Sequence, residues 1–279
     1  MTYDECNEGR KSMKRIATVL LVAVLVVSLA GCKGGSSAQD TLSILMEATA
    51  AMSDVSGYRM VGTIEMDAGT VDASGQGQPV NMEITADVQN ADGEIRQHMF
   101  ATIGDYEVEA YIIGDVYYQH MPGQGWMKMS TGAYQAQNMN MGLVDTAQME
   151  IMAQMAKDAE VIEENDEMIG LSFHLDQEYL QASLELYRKY IEEGNEQLPE
   201  EWLQMAEEAI SDFQADIRIW LSKADDLIQR MEMEYTMGGQ SQMGEVKSSM
   251  QMDFFDYNGD IAVELPPEAA QAQEFTFPQ

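Results

Sequence analysis

The spacing of apolar residues is helical at the start of the folded region. Apolar side chains recur three or four positions apart after Asp40, which favours one buried helix face and makes Asp40 a candidate N-cap. Gly57 follows as the predicted end of this helix. The face comprises Leu42, Leu45, Met46, Thr49 and Met52.

Between residues 58 and 129 the period changes to two. Apolar and polar residues alternate without exception from Val80 to Gln89, a pattern typical of a strand with one buried face. The same alternation recurs over residues 95–103 and 106–112. Glycine allows the positive φ that tight turns need, so the pattern predicts an antiparallel meander. Its predicted turns are Asp92-Gly93, Gly104-Asp105 and Gly114-Asp115.

A helical insertion is predicted over about residues 133–211. Its first helix buries Gln148, Met152, Met155 and Ala159, and its second buries Leu180, Leu184, Tyr187 and Ile191. A strand from Ile169 to Leu175 separates them. Pro199 begins a third helix, because proline suits the first turn.

Strands resume after the insertion and complete an α+β order within a single domain, residues 40–279. The predicted strands run from Phe213 to Leu221, Met231 to Met237, Val246 to Phe254 and Ile261 to Leu265.

The N-terminal stretch has the organisation of a secretory signal. Lys14 and Arg15 precede an apolar run, Ile16 to Ala30, that is shorter than the roughly 20 residues needed to span a bilayer. Leu29-Ala30-Gly31-Cys32 resembles the lipobox of bacterial lipoproteins. That resemblance implies cleavage of a signal peptide, residues 1–31, and lipidation of Cys32. Residues 32–39 would tether the domain to the extracytoplasmic face of a cell membrane.

Two further stretches carry a resemblance that covers nearly the whole domain. Tyr111-Ile-Ile-Gly-Asp-Val-Tyr-Tyr-Gln-His-Met-Pro-Gly-Gln-Gly-Trp126-Met-Lys128 and Phe254-Phe-Asp-Tyr-Asn-Gly-Asp-Ile261 look like the LolA/LppX-type envelope lipoproteins. The resemblance implies a strongly curved antiparallel sheet, a half-barrel, closed by helices. In several relatives the cavity between them accepts acyl chains.

The net charge limits which molecules this protein can bind, and the cysteine content limits its disulfides. The chain has 48 Asp and Glu against 15 Lys and Arg, a formal charge of −33. Nucleic acid is excluded as a partner because phosphate binding requires clustered cations. The two cysteines, Cys6 and Cys32, lie in the leader and at the lipidation site, so the domain has no disulfide.

Methionine is abundant, with 24 residues, and many alternate inward on predicted strands. Flexible thioether side chains suit an apolar ligand of variable shape, although a filled core needs the same residues. Both interpretations stay open. The candidate cavity residues are Met82, Ile84, Met99, Tyr117, Tyr118, Trp126, Met231, Met233, Met250 and Met252.

Catalytic and metal motifs are missing from the sequence. It has no Gly-x-Ser-x-Gly, His-Glu-x-x-His or phosphate-binding glycine loop. Asp256-x-Asn258-x-Asp260 is better interpreted as an Asn-Gly hairpin turn than as a calcium loop, because Ile261 stands where that loop needs glycine. Met127-x-Met129 and Met139-x-Met141 suit Cu(I) by spacing, but no cysteine or histidine lies close by in sequence.

The sequence therefore predicts a non-enzymatic, membrane-anchored lipoprotein, without cofactor or metal, that binds a lipid-like ligand. The alternative is an envelope interaction or sensing module with a filled core.

Overall fold

The computed structural model describes residues 38–68, 79–91, 94–123, 125–131, 146–193, 210, 212–238 and 245–274. All of them belong to one compact unit, Ser37–Gln279. Several predicted features lie outside the described residues: the leader with Cys32, the Asp92-Gly93 turn, the Met139-x-Met141 pair and the helix from Pro199.

The first half of the sheet is a meander, as the alternation predicts. Each strand runs antiparallel to the next. Its strands are β1 (Gly57–Ala68), β2 (Val80–Ala91), β3 (Glu94–Ile103), β4 (Tyr106–Ile113), β5 (Val116–Met121) and β6 (Gly125–Ser130). Gly104 and Gly114 take positive φ angles of 59° and 55° in the β3–β4 and β4–β5 turns, which confirms both predicted turns.

The second half of the sheet follows after a helix. Its strands are β7 (Lys157–Glu164), β8 (Met168–Asp176), β9 (Gln214–Ser222), β10 (Ile228–Met237) and β11 (Val246–Phe255). Strand β1 pairs with β2 on one side and with β11 on the other, so it joins the two halves. The spatial order is β12-β6-β5-β4-β3-β2-β1-β11-β10-β9-β8-β7, where β12 is Gln273–Glu274. In the described residues the sheet is open, with β12 and β7 at its edges, and does not close into a barrel.

Three described α-helices complete the α+β architecture: α1 (Ala38–Ser53), α2 (Thr146–Met155) and α3 (Gln177–Glu193). Helix α1 packs against α2 and β7, while α3 packs against α2 and β8. Leu45 and Met52 are buried on α1 as predicted, but Met46 is exposed because the buried stripe passes through Thr41, Leu45, Ala48 and Met52. The helix begins before Asp40, so Asp40 is not its N-cap.

Two expectations about secondary structure are wrong. Helix α2 ends at Met155, and Ala159 is buried on β7 instead of on the helix. Residues 261–265 form no strand, although Ile261 and Val263 are buried. The alternation there arises because one side of an extended segment packs on the sheet.

The C-terminal segment, residues 256–274, crosses the polar side of the sheet. Asn258 and Asp256 take positive φ angles of 56° in a turn after β11, and Asn258 Oδ1 accepts a hydrogen bond from the Ser56 backbone N–H at 2.8 Å. The turn is therefore present but leads into this segment, not into a hairpin. Gln89 Oε1 accepts a bond from the Val263 N–H at 3.2 Å, and β12 then pairs in parallel with β6.

The sheet and both apolar clusters lie within Ser37–Gln279. The larger cluster joins inward side chains of the sheet to the three helices, and the smaller one joins Ile261 and Val263 of the C-terminal segment to Tyr111 on the outer face. This part of the chain thus has its own core, which is the requirement for folding independently of residues 1–36.

Candidate ligand-binding face

The sheet has two faces, which the strand register defines. The inner face faces the helices and is apolar, whereas the outer face is mostly polar. One inner row runs through Met60, Ala86, Met99, Ala110, Gln119 and Met127, and the adjacent outer row runs through Arg59, Asp87, His98, Tyr111, Tyr118 and Lys128.

Eight of the ten predicted cavity residues share the inner face. Met99, Tyr117, Met231, Met233, Met250 and Met252 are buried there, and Met82 and Ile84 are partly buried. They are spread over β2, β3, β5, β10 and β11. The structure therefore brings them onto one surface, not into a single compact site.

Tyr118 and Trp126 are on the outer face, which corrects their assignment to the inward set. Successive side chains of a strand point to opposite faces, so Tyr117 and Tyr118 cannot both face inward. Both displaced aromatics pack against the smaller cluster, formed by Tyr111, Ile261 and Val263. Their neighbours are the C-terminal segment instead of the helices.

Burial of the inner face differs between its two halves. On β9, Ile217, Ile219 and Leu221 are 0% exposed. On β2 and β3, Val88 and Met99 are 9% and 7% exposed, and several inner residues nearer the strand ends or the β6 edge are only partly buried. These include Met82, Ile84, Ala101, Val108, Met127 and Met129. Partly buried apolar side chains are thus more numerous over β2–β6, which we call the β2–β6 half, than over β7–β11, where Ile169, Tyr235 and Met237 are partly buried.

Sequence reasoning missed Gln97 as a candidate contact. It occupies an inward position of β3, between Val88 of β2 and Ile112 of β4, and is 5% exposed. Among the described residues its Nε2 finds no hydrogen-bond partner. The signal was available, because a glutamine interrupts the inward series Ile95, Met99, Ala101 and Ile103.

The outer face of β3–β5 holds a compact polar and aromatic cluster. Glu109 Oε1 accepts a hydrogen bond from Tyr111 Oη at 2.9 Å and lies 3.0 Å from His98 Nε2. The His98 and Tyr111 rings stack with centroids 4.3 Å apart. Burial, the bond to Glu109 and the carboxylate charge together raise the pKa of Tyr111 to about 12. The phenol therefore stays protonated at neutral pH.

A polar groove of about 510 Å³ lies near one end of β1 and β8–β11. Asp216 Oδ1 is 3.2 Å from His174 Nδ1 within it. His174 faces away from the buried Phe173 and Leu175, as the alternation predicted. The groove is lined by Glu65, Met66, Asp67, Pro79, His174, Gln214, Asp216, Glu234, Tyr235, Thr236, Lys247, Ser248 and Ser249.

Metal ligands do not converge in the part of the chain that is described. No group of three or more His, Cys, Asp or Glu side chains there has the geometry to hold an ion. A membrane-spanning helix is likewise not found among the described helices, none of which is long and apolar enough.

A family model matches residues 40–274, which contain the whole sheet, α2, α3 and all but the first two residues of α1. The chain belongs to the DUF6612 family of unknown function. None of the curated proteins matches it in sequence.

Solved structures that this chain is similar to include mycobacterial lipoproteins. LppX of Mycobacterium tuberculosis is 11% identical, with 82% of this chain and 100% of that chain covered and a TM-score of 0.47. LprF of Mycobacterium bovis is 11% identical, with 84% and 99% covered and a TM-score of 0.46. A LolA superfamily protein of Nitrosomonas europaea is 11% identical, with 83% and 96% covered and a TM-score of 0.28. The LolA/LppX type named from the sequence thus recurs among these structures.

Proposed function

We propose that this protein is an extracytoplasmic lipoprotein, anchored through Cys32, whose β2–β6 half binds the aliphatic part of a lipid-like molecule. The observation that carries the proposal is the uneven burial of the inner face. Ile217 and Ile219 of β9 are fully covered by the protein's own side chains, whereas Met82, Ile84 and Met129 keep apolar surface available.

Ligand burial on this surface is favourable by general physical chemistry. Removing apolar surface from water contributes about 25 cal/mol per Å² before the cost of ordering the ligand. Methionine side chains adapt to chains of different shape because they are unbranched and flexible. Met82, Met99, Met127 and Met129 therefore suit an aliphatic ligand without selecting one chain length.

Catalysis is not part of the proposal. The groove contains the His174–Asp216 pair, but Ser249 lies on β11, three strands away from His174 on β8. At about 4.8 Å per strand, that separation is roughly 14 Å along the sheet. A serine hydroxyl must come within hydrogen-bond distance of its base to be activated, so this pair and this serine do not form a nucleophilic site.

An interaction or sensing module is the second candidate, and a different observation favours it. Tyr118 and Trp126 lie outside the inner face, and Phe100 of the outer face is 38% exposed. Exposed aromatic surface outside a pocket is typical of protein interfaces.

Co-purifying lipid tests the leading proposal. Residues 33–279, which contain the described core, would be produced in a bacterial host and purified without detergent. An organic extract is then analysed by mass spectrometry, and about one lipid per chain is expected.

Two tryptophan variants supply the matched comparison. Ile84→Trp places a large ring on the partly buried inner face and should lower the lipid content, whereas Thr85→Trp places the same ring on the exposed outer face and should not. Wild-type protein without lipid, and without stabilisation by added fatty acid, would contradict ligand binding and favour the interaction module.

A further inference from the structure

Gln97 is one of two buried polar residues on the described elements, with Ser183 of α3, that carry a side-chain atom without a hydrogen-bond partner, and it is the one on the inner face of the sheet. Ser248, buried on the inner end of β11, donates from Oγ to the Glu65 carbonyl oxygen at 3.0 Å. Gln97 is buried to a similar degree, but its Nε2 has no hydrogen-bond partner among the described residues. An unpaired buried donor destabilises a protein, because it gives up its hydrogen bonds to water and gains none in return.

The surroundings of Gln97 give no apparent structural reason for an amide. Its cross-strand neighbours are Val88 and Ile112, and Met99 follows on the same face of β3. A methionine or leucine would fill this inward position without an unpaired N–H. The unpaired amide N–H therefore destabilises the protein, and a hydrogen bond to an acceptor atom of a ligand would remove this destabilisation.

We propose that the Gln97 side-chain amide binds an oxygen acceptor, a carboxylate or ester carbonyl, of the amphiphile that occupies the β2–β6 half. The inference rests on the proposed function and deepens it, since it assigns an acceptor oxygen to the ligand. The aliphatic chain contacts the methionines, and Gln97 Nε2 donates to the oxygen. A hydrogen bond to a charged acceptor in this apolar setting is stronger than one in water.

Two probes with the same aliphatic chain and different head groups separate the contribution of the chain to binding from that of the acceptor oxygen. Laurate carries a carboxylate that accepts hydrogen bonds, whereas dodecyltrimethylammonium neither accepts nor donates them. Each is titrated by calorimetry, below its micelle concentration, into residues 33–279. The ratio of wild-type to variant affinity cancels the general attraction of a cation to this acidic chain.

The informative variant is Gln97→Met, which keeps the length of the side chain and removes the amide. We expect it to weaken laurate binding by about tenfold or more, the effect of losing a hydrogen bond to a charged group, and to leave dodecyltrimethylammonium binding within twofold. Gln251→Met is the control, because Gln251 is exposed on the outer face of β11, outside the β2–β6 half. It should change neither affinity by more than about twofold.

Thermal unfolding without ligand gives a second readout. Because Gln97→Met removes an unpaired donor, this variant should melt at the wild-type temperature or above. A clearly lower melting temperature would assign Gln97 a structural hydrogen bond and overturn the proposal.

The remaining outcomes distinguish failure of the role proposed for Gln97 from failure of the proposed ligand binding. If both probes bind the wild type and Gln97→Met affects them equally, or Gln251→Met has the same effect on laurate, the role of Gln97 is refuted while ligand binding stands. If neither probe binds the wild type, the proposed function fails and the role of Gln97 fails with it.

Discussion

Tyr117 and Tyr118 are consecutive on β5 and belong to different apolar clusters. Tyr117, 3% exposed, packs in the main core beneath the helices, while Tyr118 packs beside Tyr111 and Trp126 on the outer face. The sheet therefore supports two apolar layers, a large inner one and a small outer one under the C-terminal segment.

Truncation of these two tyrosines should show how much each apolar layer contributes to the free energy of unfolding. Tyr117→Ala should lower the free energy of unfolding by about 3–5 kcal/mol, as for other large core aromatics. Tyr118→Ala should lower it by roughly 1–2 kcal/mol, because the side chain is only partly buried. Urea denaturation measures both. Equal losses would contradict the division into a main core and a peripheral cluster.

Gly62 lies where β1 passes very close to β11. A Cβ at this position would be 2.6 Å from the Gln251 carbonyl oxygen, which is backbone and cannot rotate away. Gly62→Ala should therefore destabilise the protein by about 1–3 kcal/mol or more. Gly104→Ala is the comparison, since its Cβ would meet nothing within 4 Å and only the φ of 59° opposes it, at a cost of about 1–2 kcal/mol. A larger loss at Gly104, measured by urea denaturation, would refute the close approach.

The raised pKa of Tyr111 predicts how the free energy of unfolding changes at alkaline pH. Its pKa is about 12 in the folded protein, chiefly because of burial and then the bond to Glu109, whereas an unfolded tyrosine titrates near 10. The protonated phenol is thus favoured by folding, and its contribution is complete below about pH 10 and is lost as the pH rises through 12. Tyr111→Phe should flatten this alkaline decline in unfolding free energy. Ultraviolet difference titration should show one late-titrating phenol missing from the variant, and an unchanged titration would contradict the assignment.

The lowered pKa of Asp176 predicts that the protein loses stability as the pH falls. The Lys157 ammonium donates a hydrogen bond to it and lowers the pKa of the carboxyl in the folded state. A lowered pKa means that the contribution is present above the unfolded value, near 3.9, and is lost as the pH falls through the folded one. Asp176→Asn and Lys157→Met should therefore each flatten the same acid decline in unfolding free energy. A decline as steep as that of the wild type in both variants would rule out this pair as a source of acid sensitivity.

The meander was predictable because each strand is wet on one face. In β2, the inward Met82, Ile84 and Val88 alternate with polar residues, so period and turn glycines determine the strand and its register. The inward positions of the β10 and β11 methionines followed from the same rule. The local alternation of apolar and polar residues is sufficient to predict a strand and its inward residues when only one face of the strand is buried.

Other features depend on contacts between distant residues. The inward position of Ala159 fits a continued helix and a new strand equally well, and pairing of β7 with β8 decides between them. Trp126 is predicted as a cavity contact, but the C-terminal segment supplies a second apolar layer on the outer face, and Trp126 packs there. Neither partner is adjacent in sequence, so periodicity alone could not indicate it.

The most direct test of the proposed binding face uses its methionines as probes. Residues 33–279 labelled with ¹³C at the methionine methyl groups would be titrated with laurate, and methyl spectra assigned by single Met→Leu variants would be followed. We predict saturable shifts for Met82, Met99, Met127 and Met129 of the β2–β6 half, and little change for Met231, Met233, Met250 and Met252. No saturable shift, or shifts confined to the second group, would contradict binding on the β2–β6 half.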